Sequence, residues 1–368
     1  MTVIIFIIIL AVLILVHEFG HFIVAKKLGI RVDEFGIGFP PRVFGFKPKN
    51  GETTYSINAI PFGGFVKIFG ETPGQDSISG PESHRSFVNK PKWIQTVVLS
   101  AGVLFNIIFA WILISVSLLS GLPAVVSENN VGVIENSRIL ILEVLPNSPA
   151  GLAGLKIGDE IISAKAGSIT LFDKKLTITS LENLIANSDD FGVGITYKRN
   201  EYVENITIKP LSGIVEGKQA IGISMNTIGI IKTPIYKVPL EALKLTYRII
   251  EEIILNVSKL IQGIFTGEAN LLSVAGPIGI IGLVGSAWNF GFVNLLMFVA
   301  FISINLAILN MIPFPALDGG RILFILIEKI KGSNIKPKIA NAINMVGFFL
   351  LIALMIAVTY NDIGRLFK

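Results

Sequence analysis

Apolar residues are concentrated in a few long runs, and the stretches between those runs are polar. Four runs, over residues 1–25, 94–120, 292–320 and 343–360, are long enough to cross about 30 Å of hydrocarbon as helices. A helix satisfies its own backbone hydrogen bonds, which is why such runs are typical of membrane spans. The pattern therefore predicts a membrane protein whose α-helical core has about four spans.

The first polar stretch, residues 26–93, contains β-forming residues interrupted by glycines. The sequences Phe35–Phe39, Phe44–Phe46 and Gly63–Lys67 are of this kind. Glycine punctuation of β-formers indicates hairpins rather than helices. The high apolar content favours a membrane-associated β-hairpin; the alternative is a cytoplasmic β-ribbon without membrane contact.

Residues 125–228 have short strands and turns that are typical of a compact α+β domain. A strand at Ile141–Val144 leads to a helix start at Ser148, and a second strand follows Gly158 and Asp159. This order resembles a PDZ domain of the bacterial, protease-associated type. PDZ domains bind extended peptides or C-termini by strand addition, so the resemblance implies a peptide partner. The alternative is a domain that only excludes bulky substrates.

Residues 236–290 form an amphipathic, glycine-punctuated segment before the third span. Apolar residues recur at helical spacing over Pro239–Gln262, which predicts an interfacial helix on the outer membrane surface. The sequence Gly276–Ile280 then predicts a turn.

Composition supports a membrane protein and excludes several kinds of chemistry. Charged residues make up 15% of the chain and apolar residues 52%, against about 25% charged residues in soluble proteins. There is no cysteine, so thiol catalysis is excluded and a metal site must use His, Asp or Glu. The net charge is +5, but no Lys/Arg run interleaved with aromatic residues indicates nucleic-acid binding.

The distribution of charge predicts the orientation of the spans. Residues 26–93 hold ten Lys/Arg and six Asp/Glu, residues 319–342 hold five and one, and residues 121–291 hold fourteen and sixteen. Positive loops face the cytoplasm, so the middle domain is predicted to be extracytoplasmic. The first run could instead be a signal peptide, but no basic residue precedes it and no cleavage pattern follows it.

Two of the three histidines lie four residues apart at the end of the first apolar run. His17, Glu18 and His21 form an H-E-x-x-H pattern, and residues 4–16 carry no polar side chain. On a helix the two imidazoles share a face and can bind one Zn²⁺, while Glu18 can act as general base. Ionisable residues in a membrane helix are costly unless they have a partner or a function. The alternative is a helix end that reaches the interface.

A zinc site needs at least a third ligand, and the sequence offers a carboxylate. Asp318 is the sole acidic residue between Glu268 and Glu328. It follows two prolines that break the end of the third span, and it precedes two glycines that allow close backbone approach. In the predicted orientation it lies on the same side of the membrane as the histidines. The alternative is a simple interfacial helix cap.

Together these motifs resemble the site-2 protease family of intramembrane zinc metalloproteases. The sequences His17–His21 and Asn310–Gly320, with a PDZ-like domain between them, are most similar to the regulator of sigma-E protease (RseP) branch. Better-known members of that branch carry two PDZ domains, and this chain has room for one. The resemblance implies Zn²⁺ held by the two histidines and Asp318, Glu18 as catalytic base, and Asn310 as a residue that holds the substrate or the oxyanion.

The resemblance extends to other parts of the chain. Gly63, Gly64 and Phe65 look like part of the branch's membrane-associated hairpin, which implies substrate binding, and Ala101-Gly102 with Asn106 looks like its second-span motif. It further implies a multi-pass protein of the bacterial inner membrane, with the active site towards the cytoplasm. The implied substrates are single-span membrane proteins, such as an anti-sigma factor or leftover signal peptides.

Two other classes of function remain open from the sequence. Intramembrane His and Asp also occur along ion paths, so a metal-ion or proton transporter is one alternative. A membrane-tethered PDZ adaptor with a dead site is the other, but it predicts a damaged metal motif, and the motif here is intact.

Overall fold

The long apolar runs form helices, and the glycine-punctuated stretches form strands. The computed structural model describes all residues except 50, 73, 126–132, 189–191, 200–201, 216–217, 268–274, 334 and 367–368. Two units result, one of residues Met1–Val116 with Pro239–Lys368 and one of residues Ser117–Val238. In chain order the elements are α1 (Thr2–Lys27), β1 (Val32–Phe46), β2 (Thr54–Ile68), α2 (Gln75–Ser79), α3 (Lys92–Ser120), β3 (Leu122–Val125), β4 (Val133–Val144), α4 (Pro149–Leu152), β5 (Glu160–Ala166), β6 (Ile169–Phe172), α5 (Ile178–Ala186), β7 (Val193–Arg199), β8 (Tyr202–Ile208), β9 (Leu211–Val215), β10 (Lys218–Ala220), β11 (Ile223–Lys232), α6 (Val238–Thr266), α7 (Pro277–Asn289), α8 (Phe292–Met311), α9 (Asp318–Lys331) and α10 (Pro337–Leu366).

Within the described residues, four helices are long and apolar enough to cross a membrane, as the sequence predicts. They are α1, α3, α8 and α10. With the β-rich part of the chain, they give a membrane protein with a helical core. One boundary is wrong: the span predicted over residues 292–320 ends at Met311, and Asp318 begins the separate helix α9. The reason is Pro313 and Pro315, which cannot donate backbone hydrogen bonds to continue α8.

The predicted turn at Gly276–Ile280 is also wrong, because helix α7 begins there. Gly276 is its N-cap and Pro277 its first residue, a position where the missing N–H of proline costs nothing. The buried Asp362 of α10 accepts hydrogen bonds from the backbone N–H groups of Gly276 and Gly279 at 3.1 and 2.8 Å. Residues 236–290 are therefore not one amphipathic segment: α7 packs in an apolar cluster with α1 and α8 that includes Ile9, Leu13, Val284, Leu295 and Val299.

Strands β1 and β2 bend and pair with each other twice. Residues 34–37 of β1 pair on one side with residues 64–67 of β2 and on the other side with residues 54–57. Residues 42–46 of β1 pair with residues 55–58 of β2, on the side that faces away from residues 34–37. Across this small sheet the segments therefore follow the order 64–67, 34–37, 54–57 and 42–46. Among the described residues, the segment 64–67 is an edge, because it has a strand on one side only.

The second unit, residues 117–238, is β-rich. Its main sheet is antiparallel with the order β3-β11-β4-β5-β7-β8, and β6 pairs with β5. Helix α5 packs on this sheet through a core that includes Ile141, Ile161, Leu181, Ile195 and Ile208. The buried Asp159 accepts two hydrogen bonds from the guanidinium of Arg199, both at 2.7 Å, and this interaction raises the pKa of Arg199.

Candidate metal centre

Helix α1 places two imidazoles one above the other inside the first unit. His17 and His21 are buried, and their ring centroids lie 4.8 Å apart. Their Nε2 atoms are 3.2 Å apart. This arrangement follows from the spacing of four residues, which puts both side chains on one face of a helix.

The break after α8 brings a carboxylate to the same point. Oδ2 of Asp318 lies 2.9 Å from Nε2 of His17 and 3.4 Å from Nε2 of His21. The ligand atoms of the three residues all lie within 4.8 Å of one another. Residues about 300 positions apart in the sequence thus present two nitrogens and one oxygen to one point.

The short segment between α8 and α9 determines where Asp318 points. Ala316 adopts a left-handed backbone conformation with φ of 75°, and Asp318 follows in the first turn of α9, where a carboxylate is favoured by the helix dipole. A Cβ at Gly319 would lie 2.3 Å from the carbonyl oxygens of Met311 and Ile312. Gly319 has no side chain, so the backbones can approach here as closely as the sequence predicts. This close approach lets α9 turn back against the end of α8.

The donor set and its surroundings fit zinc. Two imidazole nitrogens and one carboxylate oxygen are a known ligand set of catalytic zinc, which keeps a further position open. Nδ1 of His21 lies 2.8 Å from the carbonyl oxygen of Val98, so Nδ1 carries the proton and Nε2 is free to bind a metal. Both Nε2 atoms point towards Asp318, as a shared ion requires.

Glycines of α1 and α3 allow the two helices to approach closely at the centre. A Cβ at Gly20 would lie 2.5 Å from the carbonyl oxygen of Ala101. A Cβ at Gly102 would lie 2.5 Å from Nε2 of His21 and 2.6 Å from Cε1 of His17. Gly102 thus leaves the space in which the imidazoles sit.

The change Gly102→Ala is therefore expected to displace the imidazoles. A misplacement of about 1 Å can cost on the order of a hundredfold in rate, so we expect catalysis at this centre to slow by about that factor and zinc to bind more weakly. Initial rates and zinc content of the purified protein measure both. Gly282→Ala is the matched control, because a Cβ there would meet nothing within 4 Å; equal behaviour of the two variants would contradict the steric role of Gly102.

Glu18 and Asn310 line a cavity beside the three ligand atoms. The cavity has a volume of about 210 Å³, and the Nδ2 atom of Asn310 lies 3.5 Å from Nε2 of His17. The cavity is therefore lined by ionisable and amide side chains on one part of its wall and by apolar side chains on the rest. The lining residues are Ile14, His17, Glu18, Leu306, Asn310, Ala316, Leu317 and Asp318.

The hairpin residues that the sequence singles out lie against α1 rather than in this cavity. A Cβ at Gly63 would lie 2.9 Å from the side chain of Ile14, which itself lines the cavity. A Cβ at Gly64 would lie 2.9 Å from the carbonyl oxygen of Gly36, and the ring of Phe65 covers Gly36. The edge segment of β2 therefore runs past α1 about one helical turn before His17.

Residues 5–354 of the chain match the profile of Peptidase family M50. The chain belongs to this family. It is 36% identical over 362 residues to a protein named as a zinc metalloprotease from Clostridium perfringens, with 95% of each chain covered. It is 32% identical to one from Fusobacterium nucleatum over the full length of both. It is 30% identical over 442 aligned residues to the regulator of sigma-W protease RasP of Bacillus subtilis, covering 100% of this chain and 99% of RasP.

These relatives decide between the classes of function that the sequence leaves open. An M50 member with such relatives is a zinc metalloprotease, and the four apolar helices in the described part of the chain make it a multi-pass membrane protein. The zinc that the sequence predicts is therefore supported both by the family and by the convergence of His17, His21 and Asp318.

The sequence predicts no role for two polar residues that lie near the metal centre of this M50 protease. Asn106 faces His17 from α3, and Ser303 of α8 donates a hydrogen bond to the backbone carbonyl of Asn106 at 2.8 Å. Both are fully buried. The signal that could have indicated them is a polar residue inside an apolar span, which is costly without a partner.

Proposed function

We propose that this M50 protease hydrolyses peptide bonds of transmembrane substrate helices, with His17, His21 and Asp318 as the zinc ligands and Glu18 as the general base. The observation that carries the proposal is the meeting of the three ligand atoms beside a cavity that His17, Glu18 and Asp318 line. Two of these residues are on an apolar span, so the bond that is cut lies at membrane depth.

The residues of the cavity have separate roles in the proposed reaction. Zinc, when bound, polarises the scissile carbonyl and makes a water nucleophilic at neutral pH. Glu18 accepts the proton of the attacking water and later delivers it to the leaving amine. Asn310 donates its amide N–H to the oxyanion that develops on the carbonyl oxygen. Ile14 and Leu306 form apolar walls that contact the substrate side chains.

A substrate helix has to unwind before it can be cut, because its carbonyls are engaged in its own hydrogen bonds. The edge segment 64–67 of β2 can hold the unwound strand by strand addition. Among the described residues, this segment has a strand on one side only, and it lies against α1 near Ile14 and Leu15. A substrate strand paired there would lead towards the cavity.

Replacing Gly64 and Phe65 with proline tests this role of the hairpin. Proline removes the backbone donors that a substrate strand needs, so we expect cleavage to fall at least about tenfold while zinc content stays unchanged. The same double substitution at Gly45 and Phe46 is the matched control, because these residues lie on the opposite edge of the small sheet. Unchanged cleavage in the first variant, or equal loss in both, would contradict strand addition at residues 64–67.

We further propose that the β-rich unit is a single PDZ domain that binds an extended peptide or C-terminus. A groove of about 390 Å³ lies between α5 and the segment Lys218–Met225, and it offers both a helix and strand residues to such a peptide. Filling the groove with Ala186→Trp in the full-length protein should abolish capture of fluorescent peptides. Unchanged capture would favour a domain that acts only as a size filter.

The proposed location is the bacterial inner membrane, with the β-rich unit extracytoplasmic and the metal centre towards the cytoplasm. The charge distribution of the loops supports this orientation. The proposed substrates are single-span membrane proteins, which fit a site at membrane depth.

Comparing cells that carry the wild type with cells that carry Glu18→Gln tests the proposed function. Membrane-embedded fragments that are substrates should accumulate only with the variant and can be identified by mass spectrometry of the membrane fraction. Identical membrane fragments in both strains would contradict intramembrane proteolysis.

A further inference from the structure

Asn106 is the polar side chain of α3 that faces the metal centre. It is fully buried, and its side-chain amide contacts Nδ1 of His17 at 3.3 Å. In the structure, the atom of the amide that makes this contact is Nδ2. No described residue then gives the amide oxygen, Oδ1, a hydrogen-bond partner. A buried amide oxygen without a partner is costly, and native structures seldom keep one.

The two histidines constrain which end of this amide faces His17. Each histidine directs Nε2 at the point shared with Asp318, and a nitrogen that binds a metal must offer a lone pair. In a neutral imidazole the other nitrogen, Nδ1, then carries the proton and needs an acceptor. For His21 the acceptor is the carbonyl oxygen of Val98, 2.8 Å away. For His17 the amide of Asn106 occupies the equivalent place.

A half-turn of the amide gives Nδ1–H of His17 the acceptor that it needs. The two ends of a primary amide have almost the same shape and exchange places when the last side-chain bond rotates by about 180°. After that rotation the oxygen accepts from Nδ1–H of His17, and Nδ2 takes the place in which Oδ1 had no partner among the described residues. With Nδ2 facing His17 instead, Nδ1 would have to accept, and Nε2 would carry the proton and be unable to bind a metal.

We propose that Asn106 is a positioning residue that accepts a hydrogen bond from Nδ1 of His17 through Oδ1, and so fixes the tautomer in which Nε2 can bind zinc. The proposal rests on the proposed zinc site and adds a residue of α3 to it. Val98 plays the same part for His21 through its backbone, which no side-chain substitution removes. The hydrogen bond from Nδ1 of His17 to Asn106 is therefore the one that a side-chain substitution can remove.

The surroundings of Asn106 hold its backbone in place for this role. Ser303 of α8 donates to the backbone carbonyl of Asn106 at 2.8 Å. Gly102 lies four residues earlier, on the same face of α3, and leaves the space for both imidazoles. One face of α3 thus provides space for the histidines at Gly102 and an acceptor for His17 at Asn106.

Substitutions at Asn106 separate an accepting role from a donating one. Asn106→Asp keeps an acceptor and removes the donor, whereas Asn106→Leu and Asn106→Ala remove both. Loss of such an outer hydrogen bond weakens metal binding by about 10–100-fold. We expect this loss in the leucine and alanine variants, and zinc binding within about threefold of wild type, or tighter, in the aspartate variant.

Zinc affinity is measured on the full-length purified protein by competition with a chelator of known affinity, and the absorption bands of Co²⁺ in the site give a second readout that does not depend on activity. Asn294→Ala is the control, since Asn294 is an asparagine of α8 whose amide donates to the backbone carbonyl of Phe290 in its own helix. Its zinc affinity should stay within threefold of wild type. The alanine variant keeps the experiment informative should the larger leucine not fit.

Two results would overturn the proposal: wild-type zinc affinity in both the leucine and alanine variants, or an aspartate variant that loses as much affinity as the alanine variant. His17→Ala and His21→Ala separate this failure from failure of the zinc site itself. If these two variants also bind zinc as wild type does, the proposed site is wrong. If they lose zinc and the Asn106 variants do not, only the role of Asn106 is wrong.

Discussion

Glu18→Gln is expected to abolish proteolysis and to leave zinc bound. Glu18 lines the cavity but is not among the three residues whose ligand atoms converge, so its carboxylate is available for proton transfer. A positioned general base contributes about 10²–10⁴-fold to rate, and glutamine of the same size cannot accept the proton. We expect cleavage of a single-span substrate to fall at least about a hundredfold, with zinc content equal to wild type.

The measurement is the initial rate of cleavage by the purified protein, with zinc content determined on the same sample. Glu251→Gln is the matched control, because Glu251 is an exposed residue of α6. Its rate should equal that of wild type. Retention of more than about a tenth of the activity in Glu18→Gln would count against Glu18 as the base.

Asp318→Ala is expected to remove zinc from the protein. Apparent binding free energies of about 10–16 kcal/mol for sites with four protein ligands correspond to roughly 3 kcal/mol per ligand, or on the order of a hundredfold in affinity. The carboxylate also balances the charge of the ion, and α9 offers no other acid near its start. We expect at least this loss of zinc affinity, and cleavage below detection.

Chelator competition on the purified variant tests this expectation, and added zinc should restore cleavage poorly. Asp76→Ala serves as the control, since Asp76 is an exposed aspartate in the short helix α2. Full zinc occupancy and activity in Asp318→Ala would show that another residue completes the centre.

The local part of the centre could be predicted from the sequence, because helical geometry fixes it. His17 and His21 share a face as soon as α1 is a helix, and the run of apolar residues before them predicts that helix. Asp318 could be selected because the third span has no other acid nearby. The contact of Asp318 with the histidines depends on packing between elements that are distant in the sequence. The sequence indicates this contact only indirectly, because the predicted orientation of the spans puts the three residues on the same side of the membrane.

The errors in the fold have a common physical cause. The run of apolar residues continues through Pro313 and Pro315, so hydropathy alone does not show that α8 ends at Met311. The sequence around Gly276 and Pro277 fits a turn as well as a helix start. What favours the helix is Asp362, a residue more than eighty positions away that satisfies the first N–H groups.

The contacts that support the centre from other helices could not be predicted from the sequence. Val98 acts through its backbone carbonyl, which has no sequence signature. Asn106 belongs to a motif that the family resemblance indicates, but its contact with His17 depends on the close approach of α1 and α3 at Gly20 and Gly102. The double pairing of β1 with β2 likewise depends on bends that alternation of residue types does not determine.

Anomalous diffraction at the zinc absorption edge, from crystals of the zinc-loaded wild-type protein, is the most direct test of the metal centre. The account predicts one peak bounded by Nε2 of His17, Nε2 of His21 and a carboxylate oxygen of Asp318, at about 2.0–2.2 Å from each. A fully occupied zinc elsewhere, with these three side chains pointing apart, would contradict it.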